Sequence, residues 1–230
     1  MKFRSTYHDF EIYSGQTVKW LRIDSEIAYQ KNLENQKQLL ADLGWLDTHF
    51  DYTFNSLGFR CTEFAEGSKN IITLGCSVTM GIGMPQSMSW PQLIAAELKL
   101  HCYNLGLGGH NNDTAFRLAH YYIPKLKPKI VILLSPEQSR FEIWDKTGYR
   151  TLGPWLDQDK TYRRWIENDL NSELNREKNC IAIKQIAESN GSKFLVMNSS
   201  DIERVDLARD LMHPGCLSNK LTANRLLELL

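Results

Sequence analysis

Residues 130–134 of the chain read Ile130-Val131-Ile132-Leu133-Leu134, which is its clearest strand signal. Every position is apolar, as in a strand of a parallel sheet that is covered on both faces. Three further segments predict strands, at residues 71–74, 102–105 and 194–197. The chain therefore contains the strands of a buried parallel sheet.

Helical patterns separate and follow these strands, at residues 90–100, 113–126, 165–190 (allowing one break) and 221–230. A loop rich in Gly, Pro and aromatic residues is predicted over about 145–163. Strands that alternate with helices predict a doubly wound α/β sheet. Ligands bind such sheets beyond the carboxyl ends of the strands, so functional residues are expected in the loops that leave those ends.

Residues 1–69 form a polar segment ahead of the first strand. Within it, Ser25–Leu43 predicts a helix with Asp24 or Ser25 as N-cap and Gly44 as terminator. Five aromatic side chains are too many for a free tail: Trp20, Trp45, Phe50, Tyr52 and Phe54. We expect residues 1–69 to be an N-terminal extension packed on a main domain at residues 70–230.

Composition narrows the classes of partner. The 230 residues include 27 Lys and Arg against 27 Asp and Glu, so no net positive field attracts nucleic acid. No segment approaches the roughly 20 apolar residues of a membrane span, and no secretory signal is visible. The five cysteines are scattered without a CxxC pair, which favours reduced thiols in a cytoplasm over disulfides or structural zinc.

Three loops at strand ends carry residues that could do chemistry. The first is Gly75-Cys76-Ser77-Val78-Thr79-Met80-Gly81. A serine directly after a strand can present its hydroxyl and its N–H to a cleft. The alternative is a helix N-cap, a position that serine favours.

The second loop is Gly106-Leu107-Gly108-Gly109. Its close glycines would let a backbone N–H approach a ligand as an oxyanion donor. A dinucleotide loop is a weaker interpretation because the third glycine of that fingerprint is missing. The remaining alternative is a tight turn.

The third loop contains Asp210-Leu211-Met212-His213-Pro214. A carboxylate three residues before a histidine can reach the imidazole, fix its tautomer and stabilise its protonated form. Taken alone, the pair could equally be a solvated surface feature.

In this chain order the three segments resemble the SGNH (GDSL-type) hydrolase family, over about Asn70 to the C-terminus. Residues 75–83 resemble its block I, with Cys76 where aspartate is usual. Residues 104–109 resemble block II, and residues 210–214 resemble block V. The resemblance implies a flavodoxin-like three-layer sandwich with a parallel, doubly wound sheet.

The resemblance also implies a serine hydrolase that needs neither metal nor cofactor. Ser77 would be the nucleophile, His213 the general base and Asp210 the residue that orients His213. The N–H groups of Ser77 and Gly109 would stabilise the oxyanion. The expected activity is hydrolysis of a small acyl ester, such as an O-acetyl group on a carbohydrate or other small molecule; an acyltransferase is equally compatible with the triad.

One block departs from the family. Its block III supplies an asparagine as third oxyanion donor after the third strand, and Glu137 stands at that position here. A carboxylate would repel an oxyanion, so Gln138, Asn112 or Asn111 would have to donate instead. Losing one donor typically costs about 100- to 1,000-fold in turnover. A catalytically degenerate binding or structural module is therefore the second hypothesis.

Two weaker candidates could touch substrate, His110 beside the glycine loop and Arg140 after the third strand. The alternative for His110 is a solvated loop histidine. The alternative for Arg140 is a local ion pair with Glu142.

Overall fold

The computed structural model describes residues 6–65, 67, 69–146 and 148–230. The strands there are β1 (Thr17–Val18), β2 (Tyr52–Thr53), β3 (Asn70–Leu74), β4 (His101–Asn104), β5 (Ile130–Ser135), β6 (Phe141–Asp145), β7 (Gly148–Leu152) and β8 (Lys193–Asn198). The α-helices are α1 (Glu26–Asn35), α2 (Lys37–Asp42), α3 (Ser77–Met80), α4 (Trp90–Leu98), α5 (Asn112–Leu126), α6 (Lys160–Ile166), α7 (Asp169–Ser189) and α8 (Cys216–Glu228).

The central sheet has the strand order β4-β3-β5-β8, and all of its pairs are parallel. The first two strands of the sheet are thus exchanged in space relative to the chain, as in flavodoxin-like sheets. The direction of winding reverses at β3, which makes the carboxyl ends of β3 and β5 the switch point. The predicted doubly wound α/β fold is confirmed, and all four predicted strands are present.

Helices cover both faces of this sheet, which explains why β5 is apolar from Ile130 to Leu134. Val131 and Leu133 pack in the cluster with residues of α5 and α7. Ile132 and Leu134 pack on the opposite face with residues of α4 and α8. Because side chains alternate along a strand, each face of β5 meets its own helix layer.

The predicted helix Ser25–Leu43 is wrong as a single helix. Ser25 caps α1 by accepting the N–H of Ala28 at 3.1 Å. Gln36 then leaves the helical region at φ −140° and ends the helix after Asn35. The second helix, α2, buries Leu40 in a cluster with Trp45, so tertiary packing overrides the continuous helical pattern. Gly44 follows at φ 76°.

The predicted loop over 145–163 is also wrong in part. Strands β6 and β7 form an antiparallel hairpin there, followed by a 3-10 helix (Pro154–Leu156) and by α6. The hairpin has its own small core, in which Phe141 and Leu152 pack with Tyr162 of α6. The Gly, Pro and aromatic content of this segment predicted a loop, although aromatic side chains are also favoured in strands. The break allowed in the 165–190 helix falls between α6 and α7.

Residues before β3 contact the main sheet domain through buried polar groups. The indole Nε1 of Trp45 donates to the carbonyl of Leu207 at 2.8 Å. The carboxylate of Asp24 pairs with Arg209 at 2.6 Å, and both side chains are almost fully buried. The division at residue 69 stays a prediction, but these contacts join the two parts through their interiors.

Candidate active site

Ser77 is the first residue of α3, two residues beyond the glycine that ends β3. That glycine, Gly75, has φ 155°, and a Cβ there would lie 2.1 Å from Thr79 Oγ1 and 2.8 Å from the carbonyl oxygen of Leu134. Only glycine allows the chain to turn this sharply from strand to helix. The turn puts Ser77 at the carboxyl edge of the sheet, where its side chain is 7% exposed.

Asp210 and His213 form a close pair in the loop before α8. Asp210 Oδ2 lies 2.5 Å from His213 Nδ1, and Oδ1 accepts the N–H groups of Met212 and His213 at 3.0 Å each. Burial opposes ionisation of Asp210. The hydrogen bonds from His213 and the two N–H groups outweigh it and lower the pKa of the carboxyl. The carboxylate is therefore charged at neutral pH and holds the imidazole by one nitrogen.

A cleft of about 1040 Å³ joins these residues at the β3/β5 switch point. It is lined by residues 76–78, 135–140, 162, 166, 169, 172, 176, 198–200, 202, 204 and 212–214. Ser77 and His213 both line it, so the structure brings the predicted nucleophile and base to one cavity. Such a position is where open α/β sheets bind ligands.

The hydroxyl of Ser77 has Cys76 Sγ as its contact, at 4.0 Å. Across the described residues it makes no hydrogen bond to His213. A nucleophile–base hydrogen bond is often loose until substrate binds. His213 uses Nδ1 on Asp210, which leaves Nε2 as the nitrogen that can take a proton.

The two predicted backbone donors lie on neighbouring loops. The N–H of Ser77 begins α3 and so has no acceptor within that helix, and the N–H of Gly109 donates to no group among residues that the structure describes. The glycine loop is tied to the nucleophile loop because Leu107 N–H donates to the Gly75 carbonyl at 3.2 Å. It also packs tightly on α3, since a Cβ on Gly106 would lie 2.7 Å from the nitrogen of Met80.

The candidates for the third donor differ in position. Gln138 lines the cleft and is half-buried. Asn112 is buried, and its amide nitrogen donates to the Pro136 carbonyl at 3.4 Å while its oxygen accepts from Ser135 Oγ at 3.1 Å. Asn111 caps α5 by accepting the N–H of Thr114. Neither asparagine lines the cleft, so of the three amides only Gln138 is placed to reach a ligand there.

The structure separates the two weaker candidates. His110 is buried beneath Phe10 and Tyr149, and its Nδ1 lies 2.9 Å from the Gly108 carbonyl. Burial lowers the pKa of His110. It is neither a solvated loop histidine nor part of the cleft lining. Arg140 does line the cleft.

The expected ion pair between Arg140 and Glu142 is wrong. Glu142 instead pairs with the buried Arg117 of α5, at 2.5 and 2.9 Å. Arg140 lies 3.5 Å from Glu137. Arg140 precedes β6, whereas Glu142 lies within that strand and faces α5, where Arg117 binds its carboxylate.

Several residues that hold the site in place were not predicted. Arg60 donates to the carbonyls of Met80, Gly81 and Met84, the residues that follow the nucleophile. Tyr52 accepts the N–H of Gly83 at 2.7 Å and donates to Asp24 at 2.5 Å. No local spacing could reveal these residues, because their partners lie 20 to 31 positions away in sequence.

The same network reaches the acid–base loop. Arg209, directly before Asp210, holds Asp24 through two hydrogen bonds at 3.2 and 2.6 Å. Its own N–H donates to the carbonyl of Gly83 at 2.9 Å. Asn32 donates to the carbonyl of Asp210 at 3.3 Å. The segment before β3 therefore makes hydrogen bonds to both loops of the candidate triad: the loop after Ser77 and the loop of Asp210 and His213.

Among the residues described, no group of three His, Cys, Asp or Glu side chains could hold a metal ion, and no helix is long and apolar enough to cross a membrane.

No protein-family model matches the sequence, and no curated protein matches it. Solved structures do resemble it at low identity. TesA is 11% identical with a TM-score of 0.44, over 70% of this chain and 97% of TesA. The acetyl xylan esterase AlAXEase is 14% identical with a TM-score of 0.38, over 70% and 99%.

A protein from Desulfitobacterium hafniense DCB-2, assigned to the G-D-S-L lipolytic family, is 15% identical with a TM-score of 0.37, over 70% of this chain and 99% of that one. Each of these similarities is one of fold, at 11–15% sequence identity.

Proposed function

We propose that the protein is a serine esterase that hydrolyses a small acyl ester, for example as an O-deacetylase of a carbohydrate or other small molecule. The observation that carries the proposal is that Ser77 and His213 line one cleft at the carboxyl edge of the sheet, with Asp210 hydrogen-bonded to His213. A nucleophile, a base and an orienting carboxylate are the parts that acyl transfer requires.

In the proposed reaction, His213 Nε2 takes the proton of Ser77 as Oγ attacks the ester carbonyl. The carbonyl oxygen becomes an oxyanion, which the N–H groups of Ser77 and Gly109 stabilise, with Gln138 as the third donor. His213 then gives its proton to the departing alcohol. Water repeats the sequence on the acyl-enzyme and releases the acid; a second alcohol in place of water would make the enzyme an acyltransferase.

A fluorophosphonate probe tests the nucleophile without knowledge of the natural substrate. We expect the probe to add to Ser77 of the wild type, located by mass spectrometry of the digested protein. Labelling needs the activated hydroxyl, so Ser77→Ala and His213→Ala will remain unlabelled. The control is Ser139→Ala, which removes another cleft hydroxyl and should label normally. A wild type that folds but never labels at Ser77 would favour the binding-module alternative.

A further inference from the structure

The cleft carries more positive charge than the chain as a whole, whose formal charge is zero. Arg140, Arg176 and Arg204 line it, against the carboxylates Glu137 and Asp169. Glu137 is engaged with Arg140. Asp169 lies in the first turn of α7, where the positive end of the helix stabilises a carboxylate. Arg176 and Arg204 are left as cations that face the cavity.

Arg176 is the cation with the fewest partners. It lies on the face of α7 that also presents Asp169 and Ser172 to the cleft, as the spacing of three and four residues requires. Within the described ranges no carboxylate lies at ion-pair distance from it, and its Nε is buried without a hydrogen-bond partner. Arg204, by contrast, donates to the Met212 carbonyl at 2.7 Å.

The Nε of Arg140 also lacks a hydrogen-bond partner. It lies 3.5 Å from Glu137, which is ion-pair distance without a hydrogen bond. Other buried arginines are held by protein acceptors: Arg117 and Arg209 each bind a carboxylate through two hydrogen bonds. Arg60, whose Nε is also without a partner, donates through its other two nitrogens to three carbonyls. A buried N–H without an acceptor is unfavourable. An anion in the cleft would supply the missing acceptors, and the guanidinium fork suits carboxylate and phosphate oxygens.

We infer that the substrate is an anionic ester and that Arg176, together with Arg140 in the same cleft lining, binds the anionic group. This inference rests on the proposed esterase function. Because the proposed acyl group is small, the anion belongs to the alcohol part of the ester. The anionic group is a carboxylate or a phosphate.

Three acetyl esters with the same aromatic ring test the inference: methyl 4-acetoxybenzoate, which is neutral, 4-acetoxybenzoate and 4-acetoxyphenyl phosphate. We expect the wild type to prefer one of the anionic esters in kcat/KM by about 10- to 100-fold, the worth of a hydrogen bond to a charged group. Arg176→Gln will abolish that preference, so that kcat/KM for the anionic ester falls toward that for the methyl ester. Arg176→Lys keeps the charge but not the fork, and will retain part of it.

The matched control is Arg164→Gln, which removes the same charge from an exposed position on α6 outside the cleft lining. It should leave the preference intact. Equal preference in wild type and Arg176→Gln would overturn the inference while leaving the esterase function standing.

If no ester is hydrolysed, the anion site is still testable by calorimetric titration of wild type and Arg176→Gln with 4-hydroxybenzoate and 4-hydroxyphenyl phosphate. Binding that depends on Arg176 would support the anion site alone. Binding that ignores Arg176, or no binding, would contradict it.

Discussion

Asp210→Asn will lower the kcat of ester hydrolysis about 10⁴-fold, the loss known for this exchange in a serine protease triad. The local hydrogen bonds explain why. Oδ1 of Asp210 accepts the N–H groups of Met212 and His213, so an asparagine must place its oxygen there. Its NH₂ then faces His213 Nδ1 and turns that nitrogen into an acceptor. The proton moves to Nε2, which can no longer take one from Ser77.

The measurement is kcat with an activated acetyl ester, together with circular dichroism to show that the variant folds. The matched control is Asp206→Asn in the same loop. Asp206 accepts the N–H groups of Leu217 and Ser218 at the start of α8, one on each oxygen, and within the described structure it makes no hydrogen bond to His213, so an asparagine there gives up one of these bonds without altering the imidazole. The activity of Asp206→Asn should stay close to that of the wild type. Equal activities of the two variants would refute the assignment of Asp210.

Asp24→Ala will lower the free energy of unfolding by about 3–5 kcal/mol, because it leaves a buried cation unpaired. Arg209 is 4% exposed at its side chain and Asp24 is 1% exposed. The guanidinium also lies against the rings of Trp20 and Phe50, at 4.1 and 3.9 Å from their centres.

Urea unfolding measures this loss. Asp145→Ala is the control, since Asp145 lies 3.9 Å from Arg150 and both are about 40% exposed. Pairs exposed to that degree contribute at most about 1 kcal/mol. Adding Arg209→Met to Asp24→Ala should restore part of the stability by removing the unpaired charge. A loss in Asp24→Ala no larger than in Asp145→Ala would show that the buried pair is not what joins the N-terminal segment to the acid–base loop.

The sheet could be predicted from sequence because its strands are buried on both faces. In β5 the five residues from Ile130 to Leu134 are all apolar, so the sequence alone indicates a strand that is buried on both faces. The β6–β7 hairpin is harder to predict, since Phe141 and Leu152 pack in a small cluster of their own, apart from the two faces of the main sheet. The break at Gln36 is likewise invisible locally, because it is packing of Leu40 beside Trp45 that ends the helix.

The candidate site was likewise predictable only where short local motifs carry it. Ser77 and the Asp210–His213 pair are carried by short local motifs, and the fold brings both to one cleft. The residues that hold these motifs in place do so through long-range contacts: Asp24 and Arg209, for example, are 185 residues apart in sequence. The exposure of a candidate is also set by the fold, which is why His110, a loop histidine by sequence, lies buried under aromatic rings.

The central claim is that Ser77 is the nucleophile of an esterase. Its most direct test is the rate of p-nitrophenyl acetate hydrolysis by wild type and Ser77→Ala at neutral pH, against a buffer blank. We predict clear turnover by the wild type and a loss of at least about 10³-fold in Ser77→Ala, whose residual rate comes from the oxyanion donors alone. Hydrolysis that persists undiminished in Ser77→Ala would contradict the claim.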